Sequence, residues 1–210
     1  MKNVSIVGNG TDYNKKKIIE ALEKSEYIIA VDGGLNLLDK IKILPNLIVG
    51  DFDSVKKDIL KRYKDIPTKI YPPEKDLTDS EIALRSALDL KPEKIFLLNS
   101  TGDYFDHALA NVYNLVRNYD NNTEINIVTA NSIIFLVRKE KNFKNLLGRR
   151  VSFFPIGESE VEMSGFKYKY DKNILKTEDY SVSNVIEANN AKIIVKYGQI
   201  LCVLFDGGYK

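Results

Sequence analysis

The sequence predicts an α/β N-terminal domain over residues 1–131, with a mainly parallel sheet, joined to an all-β C-terminal sandwich domain over residues 132–210. Three observations carry this expectation. Apolar strand-like runs alternate with helix-period patterns as far as Val128, the rhythm of a parallel sheet covered on both faces. Two consecutive runs end abruptly in acid, at Asp32 and at Asp51, and open α/β sheets bind ligands just outside the carboxyl ends of their strands. From about Ile133 the helical patterns stop, and short strand-like runs follow one another with turns at Gly148, Pro155-Ile156-Gly157 and Tyr197-Gly198.

The first strand is Val4-Ser5-Ile6-Val7, which Gly8-Asn9-Gly10 turns into a helix patterned on Ile18, Ile19 and Leu22. A dinucleotide fingerprint would need a third glycine where Tyr13 stands, although Asp32 lies at about the ribose-binding distance beyond the turn. Tyr27-Ile28-Ile29-Ala30-Val31 is the second strand and ends in Asp32-Gly33-Gly34. Its glycines allow backbone to approach a ligand closely, or serve an ordinary strand-to-helix turn. The third strand, Leu47-Ile48-Val49-Gly50, ends in Asp51-Phe52-Asp53-Ser54. Side chains alternate along extended chain, so Asp51 and Asp53 are expected on one side and Phe52 on the other. Two carboxylates so placed repel each other, and a divalent cation is the simplest offset. Ser54 is expected to cap a helix over 55–63.

Thr68-Lys69-Ile70-Tyr71 reads as a fourth strand, closed by Pro72-Pro73. Thr78 and Glu81 have capping-box spacing, which predicts a helix from there through Leu90 with Ala83, Ala87 and Leu90 on one face. Asp79 falls in its first turn, where the helix dipole favours negative charge. Lys75 and Asp76, just ahead of the cap, have no such structural account. Lys94-Ile95-Phe96-Leu97-Leu98-Asn99 is a fifth strand, and Ser100-Thr101-Gly102-Asp103 leads into another helix. Phe105, Leu109, Val112 and Val116 make its apolar stripe, so His107, the one histidine, projects to the opposite side with Asn111 and Asn114. Ile125-Asn126-Ile127-Val128 closes the α/β part. In the β part, strands are expected over 132–137, 150–154, 191–197 and 199–205.

Composition narrows the function classes. Thirty-one basic against 29 acidic residues give a formal charge of +2, too near balance to argue for nucleic acid or an anionic membrane as partner. The single Cys202 rules out an intramolecular disulfide or a multi-cysteine metal site and fits a reducing compartment. No apolar run has the length of a membrane span, and the strand-like Val4 to Val7 that follows Met1-Lys2-Asn3 is too short for a signal peptide's apolar core. A cytoplasmic location is therefore expected.

Three clusters stand in order: Gly50-Asp51-Phe52-Asp53-Ser54, then Lys75-Asp76-Leu77-Thr78-Asp79-Ser80-Glu81, then Gly102 to Asn111 with Asp106-His107-Ala108-Leu109-Ala110-Asn111. With Val31-Asp32-Gly33-Gly34 before them they resemble the thiamine pyrophosphokinase family, and Val182-Ser183-Asn184 is similar to that family's Ser-Asn signature. The resemblance implies a Rossmann-like nucleotide-binding catalytic domain, a thiamine-binding β-sandwich and a homodimer with sites at the subunit interface. It implies transfer of a pyrophosphoryl group from ATP to the hydroxyethyl group of thiamine, giving thiamine diphosphate and AMP, with magnesium (Mg2+) as cofactor.

Carried over residue by residue, Asp51, Asp53, Asp76 and Asp79 become the catalytic and metal-binding set, with Asp51 and Asp53 first for the metal. Asp76 or Asp79 would instead accept the hydroxyl proton or orient the alcohol. ATP would be bound by Asp32, Gly33, Gly34, Ser54, Lys75, Gly102, Asp106 and His107, and thiamine by Thr78, Asp79, Ser183 and Asn184. Two positions depart from the family pattern. Tyr104 stands where an arginine is usual, so Lys75, or less suitably Arg85, would supply the missing cation. Val185 stands where an acid is common. Alternatives are a pyrophosphokinase acting on a pterin alcohol, a nicotinamide-dinucleotide domain suggested by Gly8, Gly10 and Asp32, and a noncatalytic nucleotide or metal sensor.

Overall fold

The computed structural model describes residues 2–70, 77–118 and 122–208. The chain divides into two compact units, Met1–Ala130 and Asn131–Lys210.

In the first unit, six strands alternate with five helices among the described residues: β1 (Asn3–Val7), α1 (Lys15–Glu23), β2 (Tyr27–Val31), α2 (Gly34–Ile41), β3 (Leu47–Gly50), α3 (Lys57–Arg62), β4 (Thr68–Ile70), α4 (Asp79–Leu88), β5 (Lys94–Leu98), α5 (Phe105–Arg117) and β6 (Glu124–Val128). The strands are all parallel, in the order β6-β5-β1-β2-β3-β4. Parallel strands buried on both faces need continuous apolar runs, and Ile6, Val7, Ile29, Ala30, Ile48, Val49, Leu97 and Leu98 are all buried. Helices α1 and α2 turn Ile18, Leu22, Leu35 and Leu38 into the same core. The chain runs outward from β1 through β2, β3 and β4, then returns to place β5 on the other side of β1. The crevice at the carboxyl ends of β1 and β5 is therefore the topological switch point of the sheet.

Four local expectations are corrected. The helix after Ser54 spans Lys57–Arg62 and has no side-chain cap. The Ser54 hydroxyl is engaged elsewhere, accepting the Gly33 backbone N–H at 2.9 Å. Helix α4 starts as predicted, with Thr78 Oγ1 accepting the Glu81 N–H at 3.2 Å, but ends at Leu88 rather than Leu90. The faces of α5 are reversed: Asn111 and Asn114 are buried, whereas Phe105 is 76% and Leu109 43% exposed. Asn111 turns inward because its Nδ2 donates to the Ser100 carbonyl at 2.8 Å, tying the helix to the loop after β5.

The second unit holds β7 (Ser132–Val137), β8 (Glu140–Lys144), β9 (Arg150–Pro155), β10 (Ser159–Ser164), β11 (Ile174–Leu175), β12 (Ser181–Val185), β13 (Asn190–Tyr197) and β14 (Ile200–Phe205). They pair antiparallel in two sets, β12-β9-β14-β7 and β11-β10-β13-β8. Both sets feed one core, in which the Phe143 ring meets Phe153 edge-on with centroids 6.3 Å apart and Phe166 at 5.4 Å.

Candidate active site

A cleft of about 620 Å³ opens at the switch point of the first unit. Its walls come from the loop after β1 (Gly8, Asn9, Gly10, Thr11), from Asp32 after β2, from Asp53 and Ser54 after β3, from Leu77 to Ser80 at the start of α4, and from Ser100 to Tyr104 with His107 and Asn111 after β5. The loops after β1 and β5 are joined by backbone. Gly10 N–H donates to the Asn99 carbonyl at 2.7 Å, and the Thr11 and Asp12 N–H groups both reach the Thr101 carbonyl at 3.1 Å. Side chains reinforce the join: Thr101 Oγ1 lies 3.2 Å from Asp12 Oδ2, and Asp103 N–H donates to Thr11 Oγ1 at 3.3 Å. Gly102 has φ +145, and a Cβ there would run into Thr11, so this approach of the two loops requires glycine. The hydroxyl of Ser100 and Oδ1 of the buried Asn99 have no hydrogen-bond partner among the described residues.

Asp32 is the electrostatic centre of the acidic side. It sits at φ +44 directly after β2, and its Oδ1 accepts the Phe52 N–H at 3.3 Å. Its pKa is pushed up from 3.8 to about 6, first by burial and then by the negative charge of Asp79, with smaller contributions from Asp51 and Asp53. The Phe52 N–H opposes the rise. A Cβ on Gly50 would fall on this carboxylate, so glycine at 50 is what lets Asp32 lie across the end of β3.

The expected alternation of Asp51 and Asp53 does not occur. Strand β3 stops at Gly50, Phe52 takes a left-handed φ of +66, and Asp51 Oδ1 accepts the Asp53 N–H at 3.1 Å. The short acidic side chain has captured the backbone two residues on, which closes a turn and ends the pleat. Asp53 lines the cleft and Asp51 is outside the lining.

Among the other expected site residues, Thr78, Asp79, Ser54, Gly102 and His107 line the cleft. Gly33 and Gly34 are buried at the head of α2, outside the lining. Asp106 is exposed and also outside it. Lys75 and Asp76 lie outside the described residues. Arg85 is engaged with Glu81 at 2.9 Å. In the second unit, Ser183 takes φ +60 at an irregularity of the β12–β9 pairing, and its N–H donates to Ser152 Oγ at 3.0 Å. Asn184 is fully buried: its Oδ1 accepts the Tyr168 N–H at 3.0 Å and the Val185 N–H at 2.8 Å, and its Nδ2 donates to the Tyr168 carbonyl at 2.7 Å. Sequence reasoning missed Asn9, Thr11, Ser100, Thr101 and Asn111 as cleft residues. Their signal was position, since each polar residue follows β1 or β5 or shares the His107 face of α5. Among the described residues, no three His, Cys, Asp or Glu side chains converge as a ready-made metal site.

Comparison with known proteins agrees across both units. Residues 18–128 match the family described as thiamin pyrophosphokinase, catalytic domain, and residues 132–200 the one described as thiamin pyrophosphokinase, vitamin B1 binding domain. The chain is similar to the thiamine pyrophosphokinase of Bacillus subtilis (strain 168), 30% identical over 179 residues that cover 80% of this chain and 81% of that one. It is also similar to thiamin pyrophosphokinase 1 of Caenorhabditis elegans, 25% identical over 82% of this chain and 76% of the relative. The crystal structure of the Bacillus subtilis protein superposes with a TM-score of 0.84 at 24% identity, covering 97% of this chain and 99% of that one. That of Candida albicans thiamin pyrophosphokinase gives 0.80 at 21% identity, covering 98% and 89%. The chain belongs to the thiamin pyrophosphokinase family.

Proposed function

We infer that the chain transfers the pyrophosphoryl group of ATP to the hydroxyl of thiamine, yielding thiamine diphosphate and AMP. One observation carries this beyond family membership. The cleft at the switch point gathers Asp32, Asp53 and Asp79 around a charge that burial already disfavours. Such a cluster suits a reaction in which polyphosphate arrives with a cation. Magnesium takes oxygen ligands, commonly one or two carboxylates completed by water and phosphate oxygens, so this donor set fits it without three converging side chains. Asp51 and Asp53 would hold the ion, with Asp79 and Asp76 the further candidates. When bound it would neutralise charge on the transferred group.

The chain's own residues supply alignment. The alcohol oxygen must attack the β-phosphorus in line with departing AMP. Asp79, at the head of α4 with Thr78, would orient the hydroxyl or accept its proton. Gly102 would let backbone approach the nucleotide closely, and Asp32, Lys75, Asp106 and His107 would complete the nucleotide contacts. Ser54 would act through Gly33, whose N–H it holds, and Gly34 through the seating of α2. For thiamine, Ser183 would make the direct polar contact and Asn184 would act by fixing Tyr168 beside it.

At domain level we read residues 1–131 as a Rossmann-like nucleotide domain and 132–210 as a β-sandwich built on Phe143, Phe153 and Phe166. The α5 stripe of Phe105, Leu109 and Tyr113, left facing solvent, supports a homodimer in which a second copy covers it. A monomeric mass in solution would remove that support. The buried, protonated Cys202 thiol suits the cytoplasm, and no helix among the described residues is long and apolar enough to cross a membrane. The deciding experiment follows AMP release from ATP and magnesium, with and without thiamine. AMP and thiamine diphosphate appearing together only with thiamine is the expected result; AMP release indifferent to thiamine would overturn the assignment.

A further inference from the structure

Among the described residues two aromatic rings line the cleft, Tyr104 and His107, and they belong to the loop and helix that follow β5. Their centroids are 5.6 Å apart at an interplanar angle of 49°, so they form an angled pair rather than a closed stack. Tyr104 is 73% exposed, an orientation with no account in the core of the unit. Tyr104 is the residue that precedes α5, positions 107 and 111 share one face of the helix, and Asn111 on that face is anchored to the Ser100 carbonyl. The pair is thus held against the cleft while the apolar stripe at 105 and 109 faces away.

Apart from Asp103, which precedes Tyr104 in the same loop, the acids that line the cleft lie elsewhere along the same edge of the sheet. Asp32 follows β2 and Asp53 follows β3, whereas the rings follow β5, and β1 runs between the two groups. Neighbouring strands are spaced about 4.8 Å apart, which separates the β5 side from β2 by roughly 10 Å and from β3 by roughly 14 Å. A ligand that fills the cleft therefore meets flat π-surface on the β5 side, with Asp103 beside it, and the cluster of Asp32, Asp53 and Asp79, with whatever cation offsets it, on the other. A nucleoside triphosphate has that polarity: one stackable ring joined by a sugar to a metal-binding polyphosphate.

We propose that Tyr104 and His107 form the platform on which the base of the nucleotide stacks, directing its polyphosphate across β1 toward Asp32, Asp53 and Asp79. The inference rests on the pyrophosphokinase reading above and adds to it the base subsite. It also gives Tyr104 a positive role. Stacking uses the ring and not the phenolic hydroxyl, because every base has a π-face and an aromatic side chain offers its own.

The test is calorimetric binding of ATP and of inorganic tripolyphosphate, each with magnesium, to the wild type and to Tyr104→Ala, Tyr104→Phe and His107→Ala, together with quenching of etheno-ATP fluorescence. Tyr104 is exposed, so its substitutions leave the fold intact, which circular dichroism checks. Tyr104→Ala is expected to weaken ATP by about tenfold or more and abolish most of the etheno-ATP quenching, while tripolyphosphate binding is unchanged. Tyr104→Phe stays within about twofold of the wild type, and His107→Ala loses less than Tyr104→Ala. Unchanged ATP affinity in Tyr104→Ala, or equal losses for ATP and tripolyphosphate, overturns the platform while leaving the pyrophosphokinase reading in place. A wild-type protein that binds neither ATP nor tripolyphosphate overturns both.

Discussion

Replacing Asp32 by Asn is expected to make the ligand-free protein more stable and the enzyme worse. The folded-state pKa of Asp32 is raised from 3.8 to about 6, so its charged form is less favourable in the folded chain than in the unfolded one. At about 1.36 kcal/mol per pKa unit the shift would be worth about 3 kcal/mol at neutral pH. The side chain is only partly buried, and solvent screening reduces this to about 1 kcal/mol. Below about pH 4 the carboxyl is protonated in both states and contributes no penalty. Between about pH 4 and 6 the folded state keeps a proton that the unfolded state has released, so stability falls as pH rises. Above about pH 6 the penalty is complete. Asn keeps the Oδ1 acceptor for the Phe52 N–H without the charge. Unfolding free energies from urea titration should therefore coincide for wild type and Asp32→Asn near pH 4 and diverge by about 1 kcal/mol in favour of the variant near pH 7. A variant less stable than wild type at pH 7, or a difference independent of pH, would refute the electrostatic reading of the cleft.

Other consequences are equally direct. Asp53→Asn should lower kcat by about a hundredfold or more without changing the unfolding free energy by more than about 0.5 kcal/mol, because it removes charge from an exposed cleft residue; steady-state AMP release and urea unfolding check both halves. Gly102→Ala forces a side chain onto Thr11 at φ +145 and should destabilise the protein by about 2 kcal/mol in urea unfolding, with weakened ATP binding as the joined loops part. Asn184→Ala leaves the Tyr168 and Val185 N–H groups without their acceptor and should cost about 2 kcal/mol in urea unfolding, raising KM for thiamine more than it changes kcat.

What was legible in the sequence follows from what each signal depends on. The strands β1, β2, β3, β5 and β6 were readable because a parallel strand covered on both faces must be apolar throughout, and their ends were readable because the run stops. The Thr78 cap was readable because it spans three residues and needs nothing distant. Ser54 was misread because its partner, Gly33, lies 21 positions away and no local pattern competes visibly with helix capping. Asp51 and Asp53 were misread because a spacing of two implies a shared face only in extended chain, and the left-handed Phe52 between them leaves no trace in residue type. The stripe on α5 was read with the right period and the wrong sense. Periodicity identifies two faces, but which one turns inward depends here on Asn111 and its bond to Ser100. In the second unit, β8 and β10 were missed because Glu140, Lys141, Lys144, Glu160 and Glu162 mask the few inward positions, Phe143 and Val161, that fix them.

The misreading of Asp51 and Asp53 falls where the backbone itself departs from the ordinary, and the same edge of the sheet holds two more such departures. Asp32 at φ +44, Phe52 at +66 and Asn99 at +50 are non-glycine residues in left-handed conformation, one just beyond the carboxyl end of each of β2, β3 and β5. Each costs of order 1 kcal/mol, and the raised pKa of Asp32 adds to that cost at the same edge of the sheet. Nothing in the core requires the acids to be there, since the strands are already complete before them. A ligand that brings positive charge to this edge therefore does more than occupy a cavity: it removes the penalty that the empty cleft carries. Ligand stabilisation grows with affinity for the folded state, so magnesium with ATP should raise the melting temperature of the wild type by more than it raises that of Asp32→Asn, even though the variant melts higher without ligand. Equal ligand-induced shifts in the two proteins would mean that the acid and strain at these strand ends are unconnected with binding.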